Sequence, residues 1–98
     1  MKLLSSETEL TGKWVAKGGQ LYRDEVCERI EFLIANYLEQ VAMSEQWGAW
    51  ETLFQDPDDK RYWERTYPQG ELQGGGPSRL RCLPFGEACE KYRINPEN

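Results

Sequence analysis

Apolar residues recur at helical spacing most clearly between residues 26 and 41. Val26, Ile30, Leu33, Ile34, Tyr37 and Val41 fall on one stripe of 3.6-residue period. Asp24 stands ahead of that stripe as an N-cap, with Glu25 and Glu28 at the positive end of the helix dipole. The opposite face carries Glu25, Glu28, Asn36 and Glu39, and Phe32 lies among them, roughly 200° from Ile30 at ~100° per residue. An exposed aromatic there is either an ordinary surface apolar residue, the commoner case, or a partner or dimer contact. No Gly or Pro marks the helix end before Gly48, and "YLEQVAMS" suits either a continued helix or a strand.

Elsewhere the pattern alternates. "TGKWVAKGGQLYR" predicts a short strand near Lys13–Ala16, a Gly18-Gly19 turn and a return at Gln20–Tyr22. "GAWETLFQ" and "KRYWERTYP" predict a hairpin across "DPDD". A loop from Pro57 to Lys60 sets Phe54 beside Trp63, Thr52 beside Arg65 and Trp50 beside Tyr67, which gathers the aromatics on a core face. Slipping the register by one residue would mix the two faces. Arg65 is the awkward member of the aromatic face and is expected to snorkel or to stack on Trp63. The other face, Glu51, Leu53, Tyr62 and Glu64, is then expected to be wet. "SRLRCLP" alternates as a further strand whose arginines can pair with Glu51 or Glu64. In "PFGEACEKYRI", Phe85, Ala88, Cys89 and Tyr92 share a helical stripe, with Glu87 in reach of Lys91. The expected fold is α+β: a small antiparallel sheet of four to five strands packed against one long helix, with a short C-terminal helix, residues 1–98 forming a single domain.

Composition narrows the chemistry. A net charge of −5 argues against nucleic acid and favours a basic partner. No apolar run approaches the ~20 residues that span a bilayer, and "MKLLSSETEL" is too short and acidic for a signal peptide, so a cytoplasmic location is expected. Histidine is absent, which removes Ser–His and Cys–His nucleophile pairs and His-ligated zinc. Cys27, Cys82 and Cys89 show no C-x-x-C spacing and read as small buried hydrophobes in a reducing compartment.

The motifs that suggest chemistry have structural explanations. Gly74–Gly76 lacks the Lys and following helix of a phosphate loop and leads into a strand, so it reads as a corner with positive-φ positions. "DPDDK" offers Asp56, Asp58 and Asp59 as oxygen donors but lacks the Gly and bidentate Glu of a calcium loop, and reads as a hairpin turn. No glutamate sits where burial would tune it for acid–base work, and Glu51, Glu64 and Glu71 are expected on solvated faces. No catalytic residue, metal site or cofactor is expected. Twelve aromatic residues (four Trp, five Tyr, three Phe) supply the core of so small a chain, with Trp47, in a Gly-flanked connection, expected to be partly exposed.

"ETELTGKWV", "DEVCERIEFLIANYLEQVA", "WETLFQDPDD", "RYWERTYPQ" and "GGGP" follow one another in an order that resembles the immunity protein 27 family, over about residues 7 to 92. Thr66–Gln69 with Gly74–Pro77 is the most specific part. Arg65, where an apolar residue is expected, and Ser78, where a second proline is expected, depart from the pattern. The resemblance implies a small bacterial protein that binds and neutralises a cognate polymorphic toxin, a nuclease being one candidate. An acidic inhibitor would gain association rate on a basic active site. On this reading the partner-binding residues are Asp58, Asp59, Tyr62, Glu64 and Glu71. The rival readings are a small-ligand or carboxylate-using protein, and a structural homodimer built on Phe32 or a strand edge.

Overall fold

Asp24 starts the helix by accepting a hydrogen bond from the Cys27 amide on Oδ1 (2.8 Å), which satisfies one of the otherwise unpaired donors of the first turn. The computed structural model describes residues 3–68 and 76–94. In chain order its elements are β1 (Glu9–Thr11), β2 (Trp14–Lys17), β3 (Gln20–Arg23), α1 (Glu25–Asn36), β4 (Glu39–Ser44), β5 (Gly48–Gln55), β6 (Tyr62–Thr66), β7 (Arg79–Leu83) and α2 (Phe85–Tyr92). Five strands form an antiparallel sheet in the order β1-β7-β6-β5-β4, and β2 and β3 form a separate hairpin. Gly18 and Gly19 close that hairpin at φ +59° and +80°, conformations that only glycine adopts without strain. The fold is α+β, as expected, although the longer helix has only 12 residues.

That helix ends earlier than its apolar stripe. Tyr37 and Leu38 both donate backbone hydrogen bonds to the Leu33 carbonyl (2.9 and 2.7 Å), and the chain turns directly into β4. On a continued helix Leu38 would lie about 140° from Leu33, away from the core. Leaving the helix lets Leu38 be buried with the other core residues. Val41 then belongs to an exposed strand position, not to the stripe.

The predicted β5–β6 register is present: Phe54 opposes Trp63 and Thr52 opposes Arg65. Phe54, Trp63 and Leu80 pack with Ile30, Leu33, Leu10, Leu38 and Leu3 in the core between the sheet and α1. Trp50 is the exception on this face, being 53% exposed. Arg65 meets Glu31 of α1 (3.4 Å) and the Tyr67 ring (5.6 Å); it is Arg61 that lies over Trp63 (4.9 Å). Gly12 lets β1 close against α1. A Cβ on it would lie 2.4 Å from Cys27 Sγ and 2.9 Å from the Ser78 carbonyl, which already accepts the Gly12 amide.

The expected wet face is covered. Leu53 and Leu83 pack with Ala88 and Tyr92 of α2 in a second core, with Tyr62, Ala42 and Ile94 at its margin. Glu64 lies within this layer and is 1% exposed. Helices therefore flank the sheet on both faces, because α2 buries Ala88 and Tyr92 against Leu53 and Leu83. The helix stripe is narrower than expected, since Phe85 is exposed and Glu87 meets Arg81, not Lys91.

Candidate interaction surface

The β5–β6 turn is built around Asp56, which is 1% exposed. Its Oδ1 accepts from the Tyr37 hydroxyl (2.5 Å) and the Asp58 amide (2.8 Å), its carbonyl accepts the Lys60 amide, and its amide donates to the Arg61 carbonyl. Burial pushes the Tyr37 hydroxyl pKa upward, and the Asp56 carboxylate adds to the shift. This frame holds Asp58 and Asp59 on the surface. Asp59 pairs with Arg61 Nε (2.6 Å). Burial opposes the Asp59 charge, yet the hydrogen bonds from Arg61 outweigh it and hold the carboxyl below its ordinary range. Arg61 also donates to the Leu4 and Glu7 carbonyls, so part of the turn's charge is matched within the chain.

Tyr62 and Glu64 do not join this turn. Tyr62 is half-buried, its ring 5.8 Å from Phe85. Glu71 lies outside the described residues. Glu64 is enclosed by α2 and corrects the expectation of a solvated carboxylate. It accepts from the Tyr92 hydroxyl (2.7 Å) and pairs with Lys91 (2.5 Å) and Arg81 (3.5 Å). Burial would raise its pKa, but the hydrogen bonds from Lys91 and Tyr92 and the charges of Lys91 and Arg81 hold it below the ordinary value of 4.5. Burial likewise opposes the Lys91 charge, and the carboxylates of Glu64 and Glu51 reverse the effect. This is a structural ion cluster that fixes α2 to the sheet.

At the other end of the sheet a groove of about 620 Å³ is lined by Trp47, Trp50, Tyr67 and Pro68 together with Glu51, Glu64, Arg79, Arg81 and Lys91. Ser44 Oγ accepts the amides of Gln46 and Trp47 (3.2 and 3.1 Å), and Gly48 has φ +58°, so the β4–β5 turn presents Trp47 outward. Trp47 and Trp50 are 55% and 53% exposed, and Trp50 meets Tyr67 edge-on at 5.1 Å. Partial exposure of Trp47 was legible from its glycine-flanked position. Trp50 was not, because strand alternation places it on the core side. The groove and the Asp58–Asp59 turn are separated by most of β5, about 17 Å or more at ~3.4 Å per residue.

Other features carry less chemistry. An open depression of about 970 Å³ lies between the β2–β3 hairpin and the start of α1, with Lys17, Arg23, Glu25 and Glu28 on its walls. It is larger than the groove but has no exposed tryptophan. Among the described residues no group of three His, Cys, Asp or Glu side chains is placed to hold a metal ion. The three cysteines are free thiols, and burial pushes the pKa of Cys27 up, with the neighbouring Asp24 carboxylate adding to it. Among the described residues no helix is long and apolar enough to cross a membrane.

The family model for immunity protein 27 matches residues 16–84. The chain belongs to the immunity protein 27 family. No curated protein and no solved structure matches it. The matched span runs from the end of β2 through β7. It includes the Asp58–Asp59 turn and the groove residues Trp47, Trp50, Tyr67, Arg79 and Arg81, and it stops before α2 and Lys91.

Proposed function

We propose that this chain is a cytoplasmic immunity protein that binds a cognate bacterial toxin and neutralises it by occupying its surface, without catalysis of its own. Membership of an immunity-protein family carries the reading. The net charge of −5 supports a basic toxin, and a nuclease is the class whose phosphate-binding site an acidic inhibitor would block most directly. The absence of histidine from the chain agrees with a stoichiometric binder. Asp58 and Asp59, exposed at the β5–β6 turn, are proposed to steer the encounter.

Co-expression with the toxin encoded beside it tests the reading. Growth should be rescued, and the two proteins should co-purify. Replacing Asp58 and Asp59 together by Lys should then slow association several-fold at low salt, with the difference shrinking as the Debye length falls below about 8 Å. Failure to rescue or to bind removes that toxin as the partner. An unchanged association rate at low salt moves the steering away from this turn.

A further inference from the structure

We propose that the groove beside Trp47 and Trp50 is the anchoring pocket for the toxin, and that it receives an acidic side chain carried next to an apolar one on the toxin surface. This rests on the immunity reading above and specifies the chemistry of the contact.

Charge matching inside the groove singles out one cation. Lys91 is held by Glu51 (3.0 Å) and Glu64 (2.5 Å), and Arg81 by Glu64 (3.5 Å) and Glu87 (3.2 Å). The Arg79 side chain makes no hydrogen bond or ion pair with any described residue, and its Nε is buried. Its strand neighbours are Thr66 on β6 and Thr11 on β1, neither of which carries a charge. The Thr66 hydroxyl, also lining the groove, is likewise buried without a partner. Three side chains that line the groove, Thr66, Arg79 and Arg81, thus each carry a buried polar atom with no partner among the described residues, and leaving such atoms so is costly. A guanidinium fork matches a carboxylate in both shape and charge, and a threonine hydroxyl can donate to the same group.

The aromatic part of the lining fixes what accompanies the carboxylate. Two tryptophans, each more than half exposed, Trp47 in the β4–β5 turn and Trp50 on β5, offer an apolar surface that needs little ordering on contact. Trp and Arg are also the side chains most often found to dominate binding energy. A free small anion would leave these rings uncovered. A second copy of the chain would bring another −5 against the first.

A basic toxin and an acidic side chain at its anchor are compatible because they act at different ranges. The net charge acts over a Debye length of about 8 Å and beyond, where individual side chains are blurred. Arg79 acts only at contact. The sum over the groove lining, three cations against two carboxylates, has the opposite sign to the chain as a whole. A generic basic surface is drawn to the protein, and only one that carries an acidic side chain at the right place is held.

The test uses the full chain and the neighbouring toxin domain, inactivated by substitution so that it can be purified. Trp47→Ala and Arg79→Gln should each weaken the Kd about 30-fold or more, the size expected of a hot-spot residue. Arg79→Glu should weaken it further, and reversing one toxin carboxylate to Lys should restore binding to Arg79→Glu by about tenfold or more. If the wild-type chain binds while Trp47→Ala, Arg79→Gln and Arg79→Glu all stay within about threefold of it, the pocket is refuted and the immunity reading stands. If the wild-type chain neither binds nor rescues, that toxin is removed as the partner and the pocket proposed for it falls as well. Should Arg79 variants melt early, a Lys scan of toxin carboxylates against the wild-type chain decides: the absence of any weakening position overturns the proposal. Equal, non-additive losses of melting temperature in Arg79→Gln and Glu71→Gln would place the partner of Arg79 within the chain and overturn it. Sedimentation showing a dimer that Trp47→Ala dissociates, with toxin binding unchanged, would assign the groove to a second copy and overturn it as well.

Discussion

Replacing Glu64 by Gln should destabilise the protein strongly although the two side chains have the same size. In the folded chain the carboxylate accepts from the Tyr92 hydroxyl at 2.7 Å and pairs with Lys91 and Arg81, with only 1% of the residue exposed. An amide keeps one acceptor oxygen, loses the charge and turns an NH₂ toward groups that are themselves donors. Losing a hydrogen bond to a charged partner costs about 1.5–3 kcal/mol, and leaving a buried charge unpaired costs roughly 3–5 kcal/mol. Lys91 retains Glu51 and is partly solvated, and Arg81 retains Glu87, so the lower range applies, about 2–3 kcal/mol. For a chain of this length that corresponds to roughly 10–20 °C in Tm, read by far-ultraviolet circular dichroism at pH 7. The pH dependence supplies an internal check. The Glu64 pKa is depressed in the folded state, so its contribution is fully present above about pH 4.5 and is lost as pH falls through the lower folded value. Wild type and Glu64→Gln should therefore converge as the pH falls below that folded value, where both carry a neutral side chain. A difference below about 2 °C at pH 7, or one that persists undiminished at acid pH, would refute the reasoning.

Three further outcomes separate the core between the sheet and α1 from the groove. Phe54→Ala should cost about 3–5 kcal/mol in urea unfolding, since Phe54 is enclosed between the sheet and α1. Trp50→Ala should cost only about 1 kcal/mol, the worth of its edge contact with Tyr67; a loss as large as that of Phe54 would show Trp50 to be core. Gly12→Ala should cost about 1–3 kcal/mol, because the added methyl meets Cys27 Sγ and the Ser78 carbonyl at less than contact distance; an unchanged urea midpoint would show that β1 can move away freely.

Periodicity located most of the fold because it is a local signal. The β5–β6 register followed from sorting Phe54 and Trp63 onto one face, since a one-residue slip would have put them on opposite faces. The same alternation misled on the other face. Glu51, Leu53, Tyr62 and Glu64 look like a half-polar, solvated row, yet Leu53 and Glu64 are buried. A strand covered on both faces differs from a half-exposed one only by what lies above it, which a strand's own pattern does not record. The signal was in α2, where Ala88 and Tyr92 form a stripe that needs an apolar surface, and where Lys91 and Tyr92 together carry the donors that a buried carboxylate requires. The end of α1 was hidden in the same way, since what draws Leu38 out of helical phase is a place in the core between helix and sheet.

The candidate groove depends on register more than on composition. Arg79 and Arg81 are two residues apart and point to the same side of β7, so neither can be told from the other in sequence. In the fold Arg81 stands opposite Glu64 and Arg79 opposite Thr66. A two-residue slip would keep every side chain on its own face and bring Arg79 opposite Glu64 instead. It would also carry Leu83 from Tyr62 to a place beside Lys60 in the turn, out of the core it forms with Leu53 and Tyr92. The burial of Leu83 thus decides which arginine meets the carboxylate. The other is left over, lining the same groove as the exposed Trp47 and Trp50.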